Sequence, residues 1–427
     1  MKKYSEMSIE ELKEEEKLLF EKYEAYKSEG LKLDLSRGKP CKEQLDLSNE
    51  LFKAFSELTD FDSESGIDIR NYGGLDGIPE AKKMMADLMD TEPEHVIVYG
   101  ESSLNIMYDL VSKAWTHGIM GNTPWSKLPS VKFLCPVPGY DRHFAITGYF
   151  GIEMINIPMN GCGPDMDMVE EYVKNDDSVK GIWCVPKYSN PGGVVYSDEV
   201  IMRFARLRPA APDFRIFWDN AYNVHYLDLE HKDEIPDLLS LSKEVGNPDH
   251  VYKFGSFSKI TFPGASVSGL ATSDANVKDV LSQLKYQTIG HNKVNQLLHA
   301  RYFGGKEGVL RHMAKHAAIL KPKFDAIRDI LGEELSGLGI AEWTNPNGGY
   351  FVGFDTLPGL AKKTVAMMKD AGVKMTGAGA TYPYGKDPED RNIRIAPTFA
   401  TLEEVEKAIR IFATVVRLVS VQKLLGE

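Results

Sequence analysis

Apolar and charged positions recur at helical spacing from Ile9 onward. Ser8-Ile-Glu-Glu11 is a capping-box pattern, so the chain is expected to open on an amphipathic helix running to about Gly30. LKLDLSRGKP (31–40) ends in Gly-Lys-Pro, which predicts a loop. A helical stretch, DLSNELFKAFSEL, follows. In RNYGGLDGIPEAKKMM (70–85), Gly73, Gly74 and Gly77 predict a turn into a helix starting near Pro79.

Beyond residue 95, short apolar runs alternate with helical patterns. HVIVYG (95–100) reads as a buried strand and SSLNIMYDLVSKAW as the helix after it. VKFLCPVPGY (131–140), GIWCVPKYSNPGG (181–193), FRIFWDNAYN (214–223), HVYKFGSFSK (250–259) and SVSGLATS (266–273) repeat the plan of apolar strand then polar turn. Such alternation predicts an α/β domain with a mainly parallel sheet. In these sheets ligands sit at the carboxyl ends of the strands, where Ser102, Tyr140, Asn190, Asp219 and Lys259 all fall.

After about residue 310 the texture changes. A long helical stretch leads to EWTNPNGGYFVGFD (342–355), which looks like a hairpin. A helix, the strand NIRIAPTF and a final amphipathic helix from Leu402 complete a smaller α+β domain. Three parts are expected: residues 1–50 packing with the small domain, a large domain over 51–310, and the small domain over 311–427.

Composition narrows the class. With 427 residues, 43% of them hydrophobic, the chain can bury a substantial core. A formal net charge of -12 argues against a nucleic-acid partner, which would call for a basic face. Cys41, Cys135, Cys162 and Cys184 are far apart, so free thiols are expected rather than a disulfide framework or a metal site. No apolar run reaches the ~18 residues of a membrane span, and the N-terminus is a charged helical pattern. A cytoplasmic protein acting on small molecules, with no membrane partner, is the expectation.

The chemistry gathers around GSFSKITFPGASVSG (255–269), where Lys259 lies among small residues and turns. A desolvated lysine amine loses its proton more easily and can form a Schiff base with a carbonyl. Asp219, in WDNAY, ends an apolar strand and can hold a pyridinium nitrogen protonated. Tyr222, three residues on, and Asn190, in YSNPGG, can donate to a ring oxygen. Tyr140, in PVPGYDRH, offers a flat face for stacking. GESS (100–103) offers hydroxyls and backbone N–H groups at a helix N-terminus, which suits a phosphate. Each alone has an ordinary alternative: a turn at Asn190, a core residue at Tyr140, a helix cap at Ser102. Their order and shared strand-end placement carry the reading.

With RGKP, NYGG-DG, SKITF and RIAPTF alongside, the chain resembles the class I aminotransferases from LSRGKP to NIRIAPTF. These are fold-type I pyridoxal-phosphate enzymes, and the likeness is greatest to a bacterial aspartate-aminotransferase-like subgroup. The resemblance implies a seven-stranded, mainly parallel sheet in the large domain and pyridoxal 5'-phosphate as cofactor. It makes Lys259 the Schiff-base lysine and proton shuttle, and Asp219 the partner of the pyridine nitrogen. Tyr222 and Asn190 become the pair on the phenolic oxygen, Tyr140 the stacking residue and His143 a brace for Asp219. Ser102, Ser103, Ser256 and Ser258 would form the phosphate cup. Tyr72 would reach the phosphate of a neighbouring subunit, implying a homodimer with shared active sites.

Arg394 matches the arginine that grips the α-carboxylate, a role suited to its bidentate fork, and Gly38 lies beside the same group. One departure stands out: many relatives carry a phosphate-clamping arginine seven residues after the lysine, and here that position is Ser266. The resemblance implies ping-pong transamination through a covalent intermediate, with L-aspartate as leading donor and 2-oxoglutarate as acceptor. The side-chain carboxylate needs a second cation. Arg37 is favoured over Lys39, Arg70, Arg142 and Lys187 because it adjoins Gly38. Alanine, aromatic or 2-aminoadipate specificity and lyase chemistry remain open. A non-catalytic sensor is disfavoured, because no DNA-binding module precedes the fold.

Overall fold

The structure, a computed structural model, describes residues 2–426. Its strands are β1 (Leu33–Asp34), β2 (Val96–Val98), β3 (Lys132–Val137), β4 (Glu153–Asn160), β5 (Gly163–Pro164), β6 (Val179–Cys184) and β7 (Arg215–Asp219). They continue as β8 (Val251–Ser256), β9 (Ser268–Ala271), β10 (Ala341–Trp343), β11 (Val352–Thr356), β12 (Val373–Lys374) and β13 (Asn392–Ile395). The main sheet runs in the order β2-β9-β8-β7-β6-β3-β4-β5. Pairing is parallel from β8 through β4, while β9 is antiparallel to both its neighbours and β5 to β4. The expected seven strands thus gain an eighth. β4 turns back after Asn160 into a two-residue edge, too short to leave a pattern in the sequence.

β6, β7 and β8 are buried along their whole length, as expected of parallel strands covered by helices on both faces. The pleat divides their side chains between two cores. Phe217 joins one core with Ile106, Leu110 and Val111, from the helix Ser103–His117. Ile216 and Trp218 join the other, with Ala81, Met85 and Met89 from the helix Pro79–Met89. Gly255 lets this last helix lie close on β8, just ahead of Lys259. A Cβ there would fall 2.7 Å from Met89 Cγ.

The second half builds a three-stranded antiparallel sheet, β10-β11-β13, the expected hairpin plus NIRI. The N-terminal helix, Ile9–Ser28, packs on the C-terminal helix, Leu402–Leu425, and β1 pairs with β12. Arg417 pins these parts together. Its guanidinium reaches Glu15 at 2.5 Å and, on the long helix Lys306–Leu335, Glu334 at 2.9 Å. That helix runs unbroken across residue 310. Among the described residues no helix is long and apolar enough to cross a membrane.

Two histidines behind the lysine turn carry a pH prediction. His299 and His316 are each 1% exposed. Thr261 Oγ1 is 2.9 Å from His299 Nε2, and Gln44 Nε2 is 2.9 Å from His316 Nδ1. Burial holds His299 down at about 4 and His316 at about 3, below the usual 6.5, with neighbouring His312 adding to the second. The unfolded chain therefore binds these protons first. Their stabilisation is complete above the unfolded value and is lost as pH falls toward the folded values. Each histidine supplies a slope of about 1.4 kcal/mol per pH unit. Denaturant melts are expected to lose about 4 kcal/mol between pH ~7.5 and pH ~5 from this pair. His316→Gln should remove about half of that fall. Equal stability at the two pH values would refute the assignment.

Candidate active site

Five connections that follow strands converge at the carboxyl edge of the main sheet, four leading to helices and the one after β8 leading to β9. β7 ends in Asp219, and β8 ends in Ser256 with Lys259 in the turn beyond. β2 leads to Ser102, the N-cap of the helix Ser103–His117. β3 leads to Tyr140, at the start of the helix Asp141–Tyr149, and β6 to Asn190. A cavity of about 150 Å³ opens here. Its walls include Ser102, Ser103, Tyr140, Asp219, Ser256, Ser258 and Lys259.

Lys259 Nζ donates to Tyr222 Oη at 2.8 Å. Desolvation lowers the affinity of this amine for its proton, and the Arg394 charge adds to that, while Tyr140 and Asp219 oppose it. Desolvation also pushes the Tyr222 phenol up and the Tyr140 phenol up to about 12. Tyr350 Oη holds the lysine backbone by donating to Lys259 O at 3.2 Å.

Asp219 is buried and its two oxygens have different surroundings. Oδ2 lies 3.1 Å from His143 Nε2, whose ring stacks on Trp183 at 4.6 Å. Oδ1 is buried with no protein donor. A buried acceptor left without a partner costs stability unless a ligand supplies the donor.

At the other end of the cavity, Ser258 N donates to Ser256 Oγ at 3.0 Å and Ser258 Oγ to Glu101 O at 2.7 Å. Ser102 Oγ accepts from Leu104 N at 3.2 Å, capping its helix. Hydroxyls and a helix N-terminus thus face one another, an arrangement favourable to an anion. Among the described residues, Lys259 is the one cation in the cavity wall. Ser266 is buried, its backbone carbonyl accepting from Asn295 Nδ2 at 2.7 Å.

Arg394 projects from β13. Its Nη1 donates to Asn190 Oδ1 at 3.2 Å and to Asp141 Oδ1 at 2.9 Å. Its Nε and Nη2 both reach Thr376 Oγ1 at 3.3 Å. The guanidinium lies 5.0 Å from the Phe351 ring centre. Gly38 backs that ring: a Cβ there would fall 2.1 Å from Phe351 Cζ, so a larger residue would move the support of Arg394.

A family model described as aspartate amino-transferase matches residues 7–427. The chain belongs to this family. It is 49% identical over 405 residues to an aspartate aminotransferase of Corynebacterium glutamicum, covering 94% of this chain and 92% of that one. The crystal structure of an aspartate transaminase from Corynebacterium glutamicum superposes with a TM-score of 0.95 at 46% identity, covering 99% of both chains. An α-aminoadipate aminotransferase from Thermus thermophilus, complexed with N-(5'-phosphopyridoxyl)-L-leucine, shares the fold at a TM-score of 0.71 and 18% identity, over 92% of this chain and 93% of that one.

Within this aspartate amino-transferase fold, two of the expected site residues are largely exposed and have no contact with the cavity residues shown above. Tyr72 is 79% exposed on the surface. Arg37 is 54% exposed, its Nε 3.4 Å from Asp34 Oδ2. The other candidate cations also have partners or face solvent. Arg70 forks onto Asp68, Lys39 lies over Phe399, Lys187 reaches Glu234, and Arg142 is exposed. Asp141, Thr376, Phe351 and Trp183 join the site without having been expected from the sequence. Asp141 adjoins Tyr140, and Trp183 and Phe351 lie in a strand segment and a hairpin segment of the sequence, but the contacts that bring them to the site are with distant residues and leave no local signal.

Proposed function

We propose that this aminotransferase binds pyridoxal 5'-phosphate and moves the amino group of L-aspartate to 2-oxoglutarate. The observation that carries the reading is the convergence, in one cavity, of the Lys259 amine, the partnerless Asp219 Oδ1 and the serine-lined helix N-terminus. That donor and acceptor set fits the cofactor end to end. Asp219 would hold the protonated ring nitrogen, the Lys259 amine would meet the aldehyde, and the serine hydroxyls would hold the phosphate. When bound, pyridoxal phosphate supplies an electron sink that makes the substrate Cα–H acidic.

The chain's own residues then divide the work. Asp219 holds the ring-nitrogen proton and His143 orients its carboxylate. Asn190 and Tyr222 serve the phenolic oxygen, and Tyr140 covers the ring face. Ser102, Ser103, Ser256 and Ser258 take the phosphate. Ser266 contributes no charge there, so hydroxyls, backbone N–H groups and the helix dipole carry that contact. Lys259 Nζ, desolvated and held by Tyr222, would take the proton from substrate Cα. Arg394 takes the α-carboxylate through its fork, with the Gly38 backbone beside it.

Arg37 is the proposed second cation for the side-chain carboxylate. Its ion pair with Asp34 is exposed, and such pairs contribute at most about 1 kcal/mol, so recruiting it is inexpensive. Tyr72 is proposed to serve a second subunit. Its exposure, and that of Phe52, Phe55, Tyr286 and Ile289, leaves apolar area open to burial against a second subunit.

The absorption spectrum of the cofactor-loaded protein tests the substrate pair. L-aspartate is expected to bleach the visible band and 2-oxoglutarate to restore it. A band that persists with aspartate would retain the cofactor and discard this donor. Absence of any band after addition of pyridoxal phosphate would overturn the reading of the cavity.

A further inference from the structure

Arg394 already holds a carboxylate. The Asp141 and Arg394 side chains are 35% and 9% exposed, with Asp141 Oδ1 and Asn190 Oδ1 both on Nη1. The opposite edge of the guanidinium reaches only Thr376 Oγ1, through two long contacts of 3.3 Å. A substrate α-carboxylate needs two donors of the fork. With Asp141 in place, one of those donors already serves two acceptors, and a second carboxylate would set two negative charges against one buried positive charge. One anion has to yield.

Asp141 is the one with somewhere to go. It is the first residue of the helix Asp141–Tyr149, whose N-cap, Tyr140, makes no side-chain capping hydrogen bond. The backbone N–H groups of that first turn can receive a carboxylate, and the helix dipole favours one there. Arg394, by contrast, is fixed on β13 by Asn190, Thr376 and the Phe351 ring.

We propose that Asp141 is an internal counter-ion of Arg394, displaced by the substrate α-carboxylate, and that it sets the threshold an anion must exceed to bind. The cost falls equally on every carboxylate, so a simple monocarboxylate, with no second anchoring point to offset it, binds too weakly to measure. The inference rests on the reading of Arg394 as the α-carboxylate site and not on aspartate as the donor, since every amino acid carries that group.

The test is calorimetric binding of acetate and succinate to the cofactor-loaded wild type, Asp141→Asn and Asp141→Ala. Removing the counter-ion is expected to tighten both anions about tenfold, acetate now binding measurably. KM for the amino donor should fall by a similar factor, with kcat changed less than about twofold. Unchanged or weaker anion affinity in both variants would overturn the inference, because Asp141 would then only orient Arg394. If neither variant folds, a crystal structure of the wild type with succinate decides. The Asp141–Arg394 contact should be broken, and its persistence would overturn the proposal. Arg394→Lys separates the two levels. Succinate affinity undiminished in that variant would refute the carboxylate-site reading itself, and the counter-ion proposal with it.

Discussion

Lys259→Ala is expected to lower turnover by at least about four orders of magnitude, the upper range for a positioned acid–base group, because under the proposed function the same amine also forms the covalent link. Stability should not follow activity down. Desolvation lowers the affinity of this amine for its proton. Because the folded value lies below the unfolded one, the folded state is progressively penalised as pH falls from the ordinary lysine value toward the depressed one. Alanine removes that penalty along with the contact to Tyr222 Oη, whose loss costs about 1 kcal/mol. The cofactor-free variant should therefore melt within a few degrees of the cofactor-free wild type, or above it. Its stability should also rise less steeply at alkaline pH. Turnover within tenfold of wild type would remove Lys259 from the chemistry. A collapsed variant would instead make the lysine structural.

Local pattern made much of this arrangement readable in advance. An apolar run followed by a polar residue and a turn marks the carboxyl end of a strand wherever the strand finally pairs. Asp219 and Lys259 could therefore be set at one edge of the sheet from short windows of sequence. The capping box at Ser8 and the start at Pro79 were readable for the same reason, since both depend on residues within one helical turn. Contacts between distant segments left no such mark. Arg394 meets Asp141 across 253 residues and Gln44 meets Tyr350 across 306. Adjacency in sequence also leaves the direction of a side chain open. Arg37 and Gly38 are neighbours in sequence, yet Gly38 faces Phe351 while Arg37 faces Asp34.

Asp219→Asn should separate the charge of this residue from its shape. The amide keeps the size of the side chain and a hydrogen-bonding atom toward His143 Nε2, 3.1 Å away in the wild type. It loses the negative charge on the oxygen that has no protein donor. Opposite unit charges about 4 Å apart at an effective dielectric near 20 interact by about 4 kcal/mol. Turnover is accordingly expected to fall by about three orders of magnitude. Without cofactor the substitution acts the other way. A buried carboxylate with one unpartnered oxygen is costly, and a neutral amide in its place is less so. The cofactor-free variant should be at least as stable as wild type. The rise in melting temperature on adding pyridoxal phosphate should shrink, because that rise measures preferential binding to the folded state. The two readouts moving in opposite directions would identify Asp219 as a residue whose stability cost is offset only when a positively charged ring occupies the cavity. Wild-type turnover together with an undiminished thermal shift would mean that its free oxygen faces no such charge.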